Sequence, residues 1–249
     1  MSSAADRIAI ISDVHGNLPA FEAVLADISA RGISTIHCLG DLVGTGPSPA
    51  EVVDLSRRMC TTTVRGNWEA MVAGDGDKRT HHWNRAQLGT ERLDYLRAVP
   101  GATQFRLSGR NIRLFHASQI SVFNRVHQYD SRDAHLGMFE NTDFTGDGPP
   151  PDIVGYGDIH IGYVKSFAHK CLFNTGSVGN PLDITQACYA ILKGSLDGEG
   201  PAPWAVNLVR VPYDIDEAVR QAEASDMPNI PAYVDELRTA RYRGLPRVR

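Results

Sequence analysis

Residues 7–17 read RIAIISDVHGN. Six residues, Arg7 to Ser12, form a short and mostly apolar run, and polar residues follow at once. An uninterrupted apolar run of this length reads as a strand buried on both faces. Its end carries Asp13, His15 and Asn17, so one strand delivers several functional side chains to its C-terminal end. Residues 18–31 then switch to helical spacing. Leu18, Phe21, Val24, Leu25 and Ile28 share one face, and Gly32 marks the stop.

The same unit repeats. Residues 35–39 form a second strand that ends at Gly40-Asp41. A turn-rich stretch, Gly44 to Pro49, leads into a helix over about 50–58. A third strand, 61–64, ends at Gly66-Asn67. Strand–helix alternation predicts an α/β fold with a parallel sheet. Residues 68–98 are helical in pattern, and Pro100-Gly101 ends them. Strands follow at 103–107 and 111–115 around a hairpin turn at Ser108-Gly109-Arg110. Residues 117–151 are polar and read as a long active-site loop or small cap within a single domain spanning 1–249. Strands resume at 153–156, 163–167, 170–173, 186–193 and 204–211. Helices over 214–224 and 230–241 close the chain, and the basic tail Tyr242 to Arg249 reads as mobile.

Composition bounds the function. The 249 residues carry a formal charge of −4 and no basic stripe, which argues against duplex nucleic acid as a partner. A small anionic substrate fits if metal ions supply positive charge locally. The four cysteines, Cys38, Cys60, Cys171 and Cys188, form no CxxC pair and lie in or beside apolar runs. They read as buried, reduced thiols of a cytoplasmic protein. The polar residues Met1 to Arg7 fit no signal peptide, and no apolar run is long enough to span a bilayer.

Metal-ligand chemistry recurs at the strand ends: Asp13 and His15, Asp41, Asn67, His116, then Asp158 and His160. Strand ends of a parallel-type sheet gather on one edge, so five loops can bring seven ligands together. Carboxylate, amide and imidazole donors suit manganese, iron, zinc or nickel, and the lack of cysteine among them argues against a structural zinc knot. Asp41 has two oxygens and can bridge two ions.

The ordered motifs Asp13-Val14-His15-Gly16-Asn17, Gly40-Asp41-Leu42-Val43-Gly44, Gly66-Asn67-Trp68-Glu69, His116 and Gly157-Asp158-Ile159-His160 resemble those of the calcineurin-like metallophosphoesterases over residues 7–210. With the segment Asn174 to Pro181, the chain is most similar to their small bacterial phosphodiesterases. The resemblance implies a four-layer α/β/β/α sandwich of two mixed sheets with metals at one edge. It implies two divalent ions, manganese foremost, with iron, zinc, nickel or magnesium as alternatives. Asp13, His15 and His160 would hold the first, Asp41 would bridge, and Asn67 and His116 would hold the second. A hydroxide between them would attack phosphorus in line, with Asp13, His15, Asp41, Asn67 and His116 forming the catalytic set. The substrate would be a phosphodiester or nucleotide phosphoanhydride, such as a dinucleoside polyphosphate. A phosphoprotein phosphatase or phosphomonoesterase is the alternative enzyme; a non-catalytic scaffold of the same fold is the alternative class.

Two positions depart from the family. Trp68 replaces a histidine thought to protonate the leaving oxygen, and an indole has no titratable proton. It reads either as packing or as a stacking platform for a nucleobase. Asp158 replaces a histidine ligand of the second metal, so a carboxylate oxygen is expected there, favouring a harder ion. Three further residues have open readings. Asn17 either contacts a phosphoryl oxygen or forms a turn. Arg125 either reaches a substrate phosphate or sits on a surface loop. Arg65 either pairs with a carboxylate or touches phosphate. His81 and His82 read as solvated helix surface, and His37 as a core histidine.

Overall fold

The computed structural model describes residues 5–244. Residues 245–249, most of the tail expected to be mobile, lie outside the described residues, as do residues 1–4. In chain order the elements are β1 (Asp6–Ile11), α1 (Leu18–Ala30), β2 (Thr35–Cys38), α2 (Pro49–Met59), β3 (Thr62–Thr63), α3 (Asn67–Ala73), α4 (Arg79–Ala98), β4 (Ala102–Leu107), β5 (Arg110–Phe115), α5 (Arg132–Gly137), β6 (Ile153–Tyr156), β7 (Gly162–Phe167), β8 (Lys170–Thr175), β9 (Ala187–Gly194), β10 (Ala205–Val211), α6 (Ile215–Glu223) and α7 (Ile230–Thr239).

The strands form two five-stranded sheets, in the orders β10-β9-β1-β2-β3 and β4-β5-β6-β8-β7. Both are mixed. β1 runs parallel to β2 and antiparallel to β9, while β6 runs parallel to both β5 and β8. This is the expected α/β architecture. The period-2 alternation of β1 shows how its apolar run serves two cores. Ile8 and Ile10 pack toward the second sheet with Leu39, Ile112, Leu114, Ile153 and Phe173. Ala9 and Ile11 pack the other way, against Phe21, Val24 and Ile28 of α1 and Val52 and Val53 of α2. Each fully buried aliphatic side chain contributes roughly 1.5–3 kcal/mol, so these paired cores fix the strand ends that carry the functional loops.

The outer face of the second sheet is covered by the 117–151 segment. Val126, Met138 and Phe139 pack on Phe115, Val154, Tyr156 and Leu172. Only α5 in this segment is helical, so the fourth layer is mostly irregular backbone. The helical stretch expected over 68–98 is two helices, and Gly89 inside α4 has φ 68°, a break that a 3.6-residue periodicity does not reveal. The β4–β5 turn places Ser108 and Gly109 at positive φ, 52° and 73°, as a two-residue hairpin with right-handed strand twist requires. No helix among the described residues is long and apolar enough to cross a membrane.

Gly179 shows how tightly the loops interlock at the functional edge. A Cβ there would overlap the Val14 carbonyl, whereas a Cβ at Gly200 meets nothing within 4 Å. Gly179→Ala should therefore lower stability by roughly 1–3 kcal/mol or more, and Gly200→Ala should be close to neutral. Chemical denaturation of both variants checks this; equal midpoints would contradict the tight packing.

Candidate metal centre

The C-terminal ends of β1, β2 and β3 in one sheet and β5 and β6 in the other open onto the same edge. β1 delivers Asp13 and His15, and β2 delivers Asp41. Asn67 opens α3 just after β3. His116 follows β5, and Asp158 and His160 follow β6. Donor atoms of Asp13, His15 and His160 all lie within 4.8 Å of one another, and so do those of Asp13, Asp41 and His116. Asp13 is common to both groups. Asp13 Oδ1 is 3.2 Å from His160 Nε2 and 3.7 Å from His15 Nε2. Asp41 Oδ2 also faces both sides, 3.7 Å from His15 Nε2 and 3.5 Å from His116 Nε2. Asn67 Oδ1 is 3.2 Å from His116 Nε2. Such separations approach the edge of a tetrahedron with bonds of about 2.1 Å, which is about 3.4 Å.

The imidazoles test whether cations fit. His15 Nδ1 lies 3.1 Å from the Val43 carbonyl, His160 Nδ1 2.6 Å from that of Asn180, and His116 Nδ1 2.8 Å from that of Leu39. A carbonyl only accepts, so each Nδ1 carries a proton, and each ring when neutral presents its Nε2 lone pair inward. His15 Nε2 and His160 Nε2 are only 3.0 Å apart. Two lone pairs repel at that distance unless a proton or a cation stands between them. Asp13 Oδ1 is buried without an aligned hydrogen-bond donor. The donor set therefore fits divalent metal.

Titration behaviour follows from the same crowding. Burial pushes the Asp13 carboxyl up, but the His160 charge and the nearness of His15 outweigh it and hold the group well below the usual range. Burial, then the negative charges of Glu69 and Asp13, push Asp41 well above it. Burial lowers His15. For His160, burial is opposed and outweighed by Asp13, and the net shift is upward.

A family model described as the calcineurin-like phosphoesterase superfamily domain matches residues 7–196. The chain belongs to that superfamily. It is 30% identical over 251 residues to an uncharacterized protein of Methanocaldococcus jannaschii, covering 89% of this chain and 93% of the relative. It is similar to the crystal structure of a metallophosphoesterase from Sphaerobacter thermophilus, with TM-score 0.73, 28% identity, and coverage of 95% of this chain and 99% of the other. It also shares the fold of a hypothetical protein from Pyrococcus horikoshii, at TM-score 0.74 and 17% identity, covering 93% and 97% of the two chains.

In this phosphoesterase the ligand loops are strained. Asp13, His15, Asp41, Asp158 and His160 have φ of 56°, 51°, 53°, 65° and 60°. Left-handed backbone is unfavourable for residues with a Cβ. Hydrogen bonds between the loops hold it: Asp13 N to the Gly40 carbonyl, His15 N to that of Asp41, and Gly179 N to that of Asp13. Glu69 is buried, and its carboxylate accepts from the N–H groups of Asp41, Leu42 and Gly66 at 2.7, 2.7 and 2.8 Å. Asn84 exchanges two hydrogen bonds with Gly44. Sequence reading quoted Glu69 within a motif but assigned it no role; its place three residues after Gly66 is the signal for a cap. Asn84 carries no such signal.

The expected substrate-contacting residues fall out differently. Asn17 is buried and caps α1: its Oδ1 accepts from Ala20 N, and its Nδ2 donates to the Gly179 carbonyl. These bonds describe the turn-forming role, with both amide atoms hydrogen-bonded within the protein. Trp68 is half-buried, edge-on to His15 on one side and to His81 on the other. His81 is therefore buried behind Trp68, a correction to its reading as solvated surface, while His82 is exposed beside Asp77. His37 stacks on Phe105 in the core, as expected. Arg65 donates to the Val99 carbonyl, which neither sequence reading foresaw. Arg125 grips Asp158, with Nε 2.8 Å from Oδ2 and Nη2 2.7 Å from Oδ1. Asp158 Oδ1 lies 3.7 Å from His116 Nε2, yet Asp158 joins neither ligand group. Asp158 thus stands beside the second donor group with both of its oxygens hydrogen-bonded to a guanidinium.

The raised pKa of Asp41 has a measurable consequence. Its carboxyl holds a proton to higher pH than an ordinary aspartate, and a cation must compete with that proton. Calorimetric titration with Mn²⁺ in buffers of different ionisation enthalpy should show proton release that grows as the pH is lowered. Heats that depend on the buffer at no pH would contradict the raised carboxyl.

Proposed function

We propose that this phosphoesterase holds two divalent ions, manganese foremost, and hydrolyses phosphodiesters or nucleotide phosphoanhydrides. The observation that carries this reading is the pair of donor groups meeting at Asp13, with Asp41 facing both. Asp13, His15 and His160 would hold one ion, and Asp41, His116 and Asn67 the other. When bound, such ions lower the pKa of water and neutralise charge on phosphoryl oxygens. Nitrogen and oxygen donors without thiolate suit manganese, iron or zinc.

The residues do the rest. The backbone carbonyls of Val43, Asn180 and Leu39 fix the three histidine tautomers. That keeps all three Nε2 atoms turned inward. Glu69 holds the Asp41 loop rigid. In-line displacement at such a centre needs no attachment of the phosphoryl group to the protein.

Proton supply sets the substrate class. The position of the family's leaving-group acid is an indole. Behind it His81 is buried, and its Nδ1 faces Lys78 N at 3.3 Å. General-acid help contributes typically about 10²–10⁴-fold, and a substrate with a good leaving group needs it least. Phosphoanhydrides and activated diesters meet that condition; alkyl monoesters do not. The four free thiols support a reducing compartment such as the cytoplasm.

Purified protein with Mn²⁺ should hydrolyse bis-p-nitrophenyl phosphate and a dinucleoside polyphosphate faster than an alkyl phosphomonoester. Asp41→Asn should lower kcat/KM by more than about 100-fold, beyond the effect of losing an outer partner. Preference for the monoester would overturn the substrate class, and absence of metal-dependent turnover would overturn the enzymatic reading.

Trp68 would present its indole to a base entering the site. Base stacking is worth roughly 1–3 kcal/mol. Trp68→Ala should then raise KM for the nucleotide more than for the chromogenic diester. Equal increases would leave Trp68 as a packing residue.

A further inference from the structure

Asp158 is 3% exposed at its side chain and Arg125 is 47% exposed. The two meet in a parallel fork, two N–H groups on two carboxylate oxygens. Asp158 is itself tied to the centre, since its backbone N–H donates to Asp13 Oδ2 at 3.1 Å. Arg125 is held from the other side by its neighbour. Val126 is buried, and its carbonyl accepts from Tyr156 Oη at 2.9 Å. Tyr156 ends β6, two residues before Asp158. The same strand therefore anchors the chain beside Arg125 and supplies the carboxylate that aims it.

We infer that Arg125 is a phosphate clamp, and that Asp158 is its positioning partner and not a ligand of the second metal. This rests on the phosphoesterase reading above. Three physical points carry it. First, a guanidinium has five N–H donors in a rigid plane. Asp158 takes two of them, and the remainder belong to a half-exposed side chain beside the second donor group. Second, planar N–H donors match the non-bridging oxygens of a phosphoryl group, and such charge-assisted bonds are the strong kind. Third, the charges balance. A histidine at position 158 would be a neutral ligand. Asp158 with Arg125 is also neutral as a pair, so the acidic residue adds no net charge to a site that must accept an anion. A cation bound through Asp158 would have to use the remaining lone pair of an oxygen that already faces the guanidinium charge.

The clamp is tested by direct binding, without turnover. Inorganic phosphate is titrated calorimetrically into the Mn²⁺-loaded protein, and Mn²⁺ affinity and stoichiometry are measured separately. Arg125→Ala should weaken phosphate binding roughly 10- to 100-fold, with Mn²⁺ stoichiometry unchanged. Arg125→Lys should fall between it and the wild type, because a point charge replaces the fork. Asp158→Asn should weaken phosphate in the same direction and again retain every Mn²⁺ equivalent. Loss of one Mn²⁺ equivalent in Asp158→Asn would make Asp158 a ligand and overturn the inference. Unchanged phosphate affinity in Arg125→Ala, with only a lower melting temperature, would reduce the pair to a staple for the 117–151 segment. A wild type that binds Mn²⁺ but no phosphate would also overturn it. A wild type that binds phosphate in an Arg125-dependent way yet turns over no ester would sink the catalytic proposal and leave the clamp standing.

Discussion

The buried Glu69 carboxylate accepts hydrogen bonds from the backbone N–H groups of Asp41, Leu42 and Gly66, and the rest of the site depends on that clasp. It joins the loop after β2 to the first turn of α3. Asp41 and Asn67, donors from two different strands, are thereby held in one frame. Trp68 N completes the frame by donating to Asp41 Oδ1 at 2.9 Å, which leaves Oδ2 as the oxygen facing His15 and His116. A buried donor left without a partner costs about 1–3 kcal/mol. Three such donors on one carboxylate make this loop geometry hard to deform independently of α3.

Rigidity is needed because the centre is strained in two ways. Five of its residues are in left-handed backbone, at roughly 1–2 kcal/mol each. Together that approaches the whole net stability of an ordinary domain, roughly 5–15 kcal/mol. Asp13 and Asp41 are also buried side by side. The upward push on Asp41 is the electrostatic expression of that crowding. Inter-loop hydrogen bonds and the two apolar cores on either face of β1 offset these terms. A bound cation would relieve the electrostatic part directly, so the fold and the metal site stabilise one another.

The sequence made much of this legible, and for a local reason. Apolar runs such as 7–12 signal strands, and a polar residue at the run's end signals a loop at the sheet edge. Asp13, His15, Asp41, Asn67, His116 and His160 could all be read that way, and the structure brings their donor atoms together. What escaped was long-range. Arg125 and Asp158 are 33 positions apart, and no periodicity joins a polar loop to a strand end. His81 looked solvated because α4 is polar along most of its length, yet one turn of it closes over Trp68. The break at Gly89 was invisible because a left-handed glycine leaves the surrounding helical composition unchanged.

The two departures from the family pattern meet in the chemistry. Trp68 removes a proton donor from the leaving-group side of the site. In the proposed clamp, Asp158 with Arg125 exchanges a neutral metal ligand for a neutral pair that presents N–H donors. A phosphoryl group has two needs during displacement: a stabilised leaving oxygen and neutralised equatorial oxygens. A site that loses help at the first is compensated by strengthening the second only when the leaving group is already a weak base. A phosphate leaving from an anhydride is such a group, and it also brings extra non-bridging oxygens for a guanidinium to hold. Under the proposed function, the residues at positions 68 and 158 thus favour the same class of substrate by independent routes.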